Sequence, residues 1–277
     1  MSRAIGGWRL TGLAHAGGLG FALMIAPIVA SAQWIDYPTP GIPRTTEGKP
    51  NVTAPAPKAA DGKPDLSGLW QRVANVTQRR LAGLAMGPNL EDFMRPGEKI
   101  PPLLPAAEAV YKQRQADFMK DRPSARCLPH GIPDQMLIRV PMKIVQHPGL
   151  TLILYEEFAR FRQIFTDGRG FPPVANPAWL GYSIGKWDGD SFVVETRGFN
   201  DKSWLDDSGR PHTEALHTVE RFHRRDFGHM DVEITIDDPQ AYTKPWSFPL
   251  LFESLADTEM IEDVCDNERD SAHSIGK

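Results

Sequence analysis

Tyr182-Ser-Ile-Gly-Lys-Trp-Asp-Gly-Asp-Ser-Phe-Val-Val-Glu-Thr-Arg197 is the stretch that decides the fold. Asp188-Gly189 is a tight-turn dipeptide, and Tyr182–Trp187 and Ser191–Arg197 on either side are rich in aromatic and β-branched residues. The stretch therefore reads as a β-hairpin. Further on, Met230-Asp-Val-Glu-Ile-Thr-Ile-Asp237 alternates cleanly. Met230, Val232, Ile234 and Ile236 take a core face, and Asp231, Glu233, Thr235 and Asp237 take the other. A period of two with no crossover helix predicts antiparallel strands, each with one buried face.

The same pattern extends outward from the hairpin. On the C-terminal side, Leu216–Asp226 joins Met230–Asp237 around Gly228-His229. Trp246, Phe248, Leu250 and Phe252 mark a further strand, and Glu259–Cys265 a last one. On the N-terminal side, Lys143–Gln146, Thr151–Glu157 and Arg160–Thr166 are divided by His147-Pro-Gly149 and Glu157-Phe-Ala159. Leu66–Arg72 is the first strand of the body. One segment breaks the rule: residues 105–121 carry Pro105 at a first-turn position, with Ala109, Val110, Tyr111, Phe118 and Met119 at helical spacings. Asp121-Arg-Pro ends that helix. The expected fold is mainly β, an antiparallel up-and-down meander with this one helix inserted after the first strand. Such a meander must curl, stack or close to remove its edges. A closed barrel is the expectation, with a two-sheet sandwich as the alternative.

Arg3 and Arg9, the apolar run Gly17–Ala30 and the Ala30-Ser-Ala32 cleavage pattern read as a secretory signal over residues 1–32. The run is shorter than the roughly 20 residues needed to span a bilayer. A periplasmic or secreted protein, with no stable membrane anchor after cleavage, is expected. Residues 33–65 are proline-rich and read as an extended arm or a linker, leaving 66–277 as a single β-barrel-like domain. Export permits a disulfide, and Cys127 and Cys265 are the only cysteines. A net charge of −4 gives no basic footprint for nucleic acid.

Ser67-Gly-Leu-Trp70 resembles the Gly-x-Trp opening of lipocalin-like (calycin) barrels. That resemblance implies a lipocalin-like barrel with a central cavity for a small apolar molecule. The chain departs from lipocalins in its long insert between the first strand and residue 142. Tyr182–Asp190 and His212-Thr-Glu-Ala-Leu-His-Thr-Val-Glu-Arg-Phe222 resemble a widespread group of uncharacterised secreted bacterial proteins, which supplies no activity.

Gly198–Phe222 is a long polar connection between strands, and a connection of that kind is usually functional or disordered. It holds Asp201, Trp204, Asp206, Asp207, His212, Glu214 and His217, which is poor composition for disorder. Asp201, His212, Glu214 and His217 are the candidate catalytic residues: a carboxylate takes a proton and an imidazole returns it. Trp204 offers a flat apolar wall and Asp206 a polar anchor for a substrate. The same Asp residues are ordinary turn formers. Glu220 and Arg221 are further substrate-binding candidates. Strand parity puts one of them inside a barrel: Glu220 with Thr218, or Arg221 with His217 and His223. Glu156, Arg162 and Glu195 pose the same question, with cross-strand ion pairing the plainer answer. His130 and His147 lie in rigid Pro/Gly turns and read as turn residues.

No nucleophile elbow, phosphate-binding loop, dinucleotide fingerprint or haem-attachment motif is present. The expected function is cofactor-free acid/base chemistry, of lyase, hydratase or isomerase type, on a small, partly apolar or aromatic molecule. Two alternatives stand beside it. One is a non-catalytic binding protein for a hydrophobic ligand. The other is a protein holding a divalent metal through His212, Glu214 and His217.

Overall fold

A computed structural model describes residues 38–74, 88–173 and 176–265. The expected signal, residues 1–32, lies outside the described residues. Nine strands close into a barrel in sequence order. They are β1 (Gly68–Arg72), β2 (Met142–His147), β3 (Leu150–Tyr155), β4 (Arg160–Phe165), β5 (Tyr182–Asp188), β6 (Ser191–Arg197), β7 (His217–Arg224), β8 (His229–Asp237) and β9 (Trp246–Ser254). The hairpin around Asp188-Gly189 is β5–β6, with Trp187 opposite Phe192 and Asp188 opposite Ser191. Every neighbouring pair is antiparallel except β4–β5, where Ile164 and Phe165 meet Ser183 and Ile184 in parallel. The expected antiparallel meander thus closes with one parallel pair, and the reason is arithmetical. Strands that alternate in direction cannot close a ring of odd number without one parallel neighbour. Residues 166–181 carry the chain back to the starting end, as a parallel pairing requires.

Alternation sorts the side chains as the sequence implies. On β8, Met230, Val232, Ile234 and Ile236 are fully buried. On β9, Phe248, Leu250 and Phe252 face them, and Ile144, Ile153, Ile164, Phe192 and Phe222 complete the core. Gly185 is required by this packing, because a Cβ there would lie 2.5 Å from Phe192 Cζ. Among the described residues the inner face of the barrel is lined at these levels by large, buried apolar side chains. At one end Trp70 donates its indole N–H to the Leu66 carbonyl at 2.9 Å, and the Arg224 guanidinium lies 4.8 Å over its ring.

One polar cluster crosses the core. Arg162 on β4 reaches past β5 and β6 to Glu220 on β7, with Nη1 donating to Glu220 Oε1 at 2.9 Å and Nη2 to Oε2. Ser183 and Thr196 accept from the same guanidinium at 3.0 and 2.7 Å. Burial opposes the charge on Arg162, but Glu220 outweighs it and raises the pKa.

Two elements differ from expectation. The helix, α1, runs Pro105–Ala116 and not to 121. Phe118 and Met119 take left-handed backbone at φ 53 and 52°, which an α-helix excludes. The segment 259–265 is not a strand; it forms an isolated bridge, Glu157 to Asp263, and is tied down by Ile261 N–H donating to Glu156. The arm residues 38–65 lie against the barrel, where Val52 and Ala54 carbonyls accept from Gly228 and Phe227 N–H at 2.7 and 2.8 Å. Cys127 and Cys265 form a disulfide, with Cα atoms 5.5 Å apart. Such a bond fits an oxidising, extracytoplasmic environment. No helix among the described residues is long and apolar enough to cross a membrane.

Candidate functional site

The 198–216 connection folds over the barrel end where β7 begins. Asp206 organises it. Its fully buried carboxylate accepts from Ser208 N–H at 3.0 Å, Ser208 Oγ at 2.6 Å, Arg210 N–H at 3.2 Å and Leu90 N–H at 2.8 Å. Burial raises the Asp206 pKa, and these donors work against the rise. With three donors on Oδ1 and one on Oδ2, Asp206 organises the loop.

Trp204 is buried beneath α1, and the Arg114 guanidinium lies 4.6 Å over its ring. Arg114 also donates to the Gly209 carbonyl at 3.1 Å. Burial lowers its pKa to about 10, while Asp201 is among the groups that sustain its charge. A cavity of about 270 Å³ opens here, lined by Val110, Arg114, Met119, Lys120 and Trp204. Its wall combines an indole face with a guanidinium.

On the inner side of the same segment, Ser203 and His212 are both buried, and Ser203 Oγ lies 2.7 Å from His212 Nε2. The other ring nitrogen, Nδ1, is 3.0 Å from the Thr213 carbonyl. A carbonyl only accepts, so Nδ1 carries the proton and the Nε2 lone pair receives the Ser203 hydroxyl. Burial lowers the His212 pKa, which keeps the ring neutral. Asp238 holds the support in place, accepting from Thr213 N–H at 2.6 Å and Thr213 Oγ1 at 2.9 Å.

A second group packs beside this pair. His130, buried in the 127–138 loop, faces Asp134 Oδ2 with Nδ1 at 2.6 Å and Glu157 Oε2 with Nε2 at 3.1 Å. Burial works against its charge, but Asp134 and Glu157 prevail and raise its pKa to about 10. Asp207 faces the same spot and pairs with Arg122 at 2.9 Å. Burial, followed by the Asp134 charge, pushes Asp207 up to about 7. Ligand atoms of His130, Asp134 and Asp207 lie within 4.8 Å of one another, and they are the residues suited to a metal ion among those described. Gly131 joins the two groups: a Cβ there would sit 2.4 Å from Ser203 Oγ.

The predicted site residues are thus only partly brought together. His212 is inside the mouth, with Asp201 exposed but close enough for its charge to act on the ring. Glu214 is exposed, and His217 faces Glu195 at 3.5 Å on the outer side of the wall. His212, Glu214 and His217 therefore do not converge, because strand parity turns His217 outward. Glu220 points inward with Thr218 but is spent on Arg162, and Arg221 points outward to Asp188 at 2.8 Å. His130 and Ser203 went unrecognised as site residues, and His130 is no exposed turn residue. His147, by contrast, is exposed and bonds the Pro148 carbonyl.

No protein-family model matches the chain, and no curated protein matches it.

Proposed function

We propose that the chain acts on a small molecule at the barrel mouth by proton transfer, with His212 as the base. The reading rests on one observation: a buried, neutral imidazole whose Nε2 is aimed at a hydroxyl and whose Nδ1 is fixed by a carbonyl. A base needs this geometry and this charge state to work near neutral pH. The Trp204–Arg114 cavity, which Asp117, Lys120 and Asp121 also line, supports a planar, partly aromatic molecule carrying polar groups. Elimination, hydration and isomerisation each require a proton to be removed from one atom and returned to another. His212 takes it, and its neighbour Ser203 relays it. In keeping with the disulfide, the protein is proposed to work after export.

Binding without turnover is the second reading. It is favoured by burial, since Ser203 and His212 are 1 % and 5 % exposed and a ligand reaches them only by parting the connection. Deuterium exchange separates the two. The protein is incubated in heavy water with a panel of small aromatic ketones and acids, and loss of C–H signals is followed by proton NMR. Acid/base function predicts exchange in at least one class, abolished by His212→Gln with the fold intact. Exchange that persists in His212→Gln contradicts the assignment. Saturable binding without exchange supports the second reading.

A further inference from the structure

The group around His130 has an excess of acceptors. Asp134, Asp207 and Glu157 bring three carboxylates against one imidazole and the Arg122 guanidinium. Each ring nitrogen of His130 already faces a carboxylate, and Gln135 Nε2 donates to Glu157 at 3.3 Å. Three buried oxygens still accept no hydrogen bond from the protein: Asp134 Oδ1, Asp207 Oδ1 and Gln135 Oε1. Asp134 is 3 % exposed, so water does not satisfy it freely. An orphaned buried carboxylate oxygen costs about 1–3 kcal/mol or more. Two of the three belong to Asp134 and Asp207, which gather with His130 so that one ligand atom of each lies within 4.8 Å of the others.

We propose that His130, Asp134 and Asp207, with Glu157 alongside, bind a divalent transition-metal ion such as Zn²⁺ or Mn²⁺. An imidazole nitrogen combined with carboxylate oxygens is a donor set for these ions, and it departs from the all-oxygen shell that Mg²⁺ and Ca²⁺ prefer. Ligands about 2.1 Å from a metal stand at most about 4.2 Å apart. In a tetrahedral set they stand about 3.4 Å apart, so a present separation of up to 4.8 Å closes by about 1.4 Å, shared between the side chains. The ion takes the place of the proton on the ring nitrogen it meets, and that proton leaves to solvent. The loops that carry the ligands are tied together already. Cys127–Cys265 anchors the start of the His130 loop, and Asp207 N–H donates to the Pro88 carbonyl at 3.1 Å. The site does not depend on the role given to His212.

The test uses the disulfide-bonded protein freed of metal by a chelator. Zn²⁺ and Mn²⁺ are titrated calorimetrically, with Mg²⁺ as the control, and melting is followed in parallel. Binding of one ion per chain is expected, with a higher Tm in Zn²⁺ or Mn²⁺ than in Mg²⁺. His130→Asn and Asp207→Asn each weaken binding by at least about tenfold, and His217→Asn leaves it unchanged. Co²⁺ added to the unaltered protein gives an independent readout if a variant fails to fold: paramagnetic shifts centred on the His130 ring. Absence of saturable binding overturns the proposal and leaves a proton as the cation. Co²⁺ shifts centred on His217 or His229, or full affinity in folded His130→Asn, overturn it equally.

Discussion

The barrel interior and the barrel mouth both bury charge, and they treat it in opposite ways. Within the wall, Arg162 meets Glu220 through two hydrogen bonds and gives two more to Ser183 and Thr196. At the mouth, His130, Asp134 and Asp207 are packed as closely, yet carboxylate oxygens of both aspartates are left without donors. A buried charge whose bonds are all made holds the fold together and resists change. A buried charge with bonds to spare is held in readiness by the structure around it. The difference lies in satisfaction and not in depth, and it supports the proposal that the mouth is the working end.

The largest effect that bears on this contrast is covalent. Reduction of Cys127–Cys265, which spans 138 residues of sequence, is expected to cost about 4–5 kcal/mol on the chain-entropy account. Urea unfolding with and without reductant measures it. Glu220→Ala comes next, at about 3–5 kcal/mol, because it strands Arg162 in the core. Replacing both partners, as in Arg162→Met with Glu220→Leu, recovers most of that loss. A small cost for Glu220→Ala alone breaks the contrast from the side of the wall.

Gly131→Ala follows, at about 1–3 kcal/mol. Its φ of +81° strains any L side chain, and the new Cβ drives into Ser203. The expected signature is loss of the Ser203–His212 contact in the His212 ring resonances together with a lower Tm.

Acidification gives a smaller effect with a definite sign. His212 has an ordinary value of 6.5, lowered in the fold by burial. As pH falls below about 6.5 the unfolded chain takes up its proton first. The stability that depends on neutral His212 is therefore complete above that pH and is lost as pH falls towards the folded value. Thermal melts across pH 4–8 should show this limb, flattened by His212→Gln. His217→Gln flattens it less, since His217 is only half buried. Smallest of all, Asp207→Asn should change metal-free stability by less than about 1 kcal/mol, because removing an ill-satisfied carboxylate relieves its own penalty. A loss as large as that of Glu220→Ala would erase the distinction between wall and mouth.

The wall was legible in the sequence because its logic is local. A period of two fixes the faces of β7 and β8 from a handful of letters, and Glu220 with Thr218 was one of only two inward choices. What the period does not fix is a partner four strands' worth of chain away, so Arg162 and Glu220 were separate questions until the ring closed. The mouth was less legible. His130 and Asp134 sit among Pro129, Gly131 and Pro133, and these residues signal a turn without saying that the turn is buried. Their spacing of four, a His and an Asp one helical turn apart, was the available hint. Ser203 gave none: it meets His212 because Asp206 folds the connection back on itself. The lost strand at 259–265 has a similar cause, with its backbone held by Glu156 and Cys127 and not by a neighbouring strand.

The proposed function puts a small molecule at the mouth and not in the barrel interior. Backbone amide NMR of the isotopically labelled protein, titrated with the panel of aromatic ketones and acids, tests this most directly. Shifts concentrated at residues 128–138, Glu157 and 200–214 are expected. Shifts centred instead on Ser183, Thr196 and Thr218, with the mouth unmoved, would contradict it.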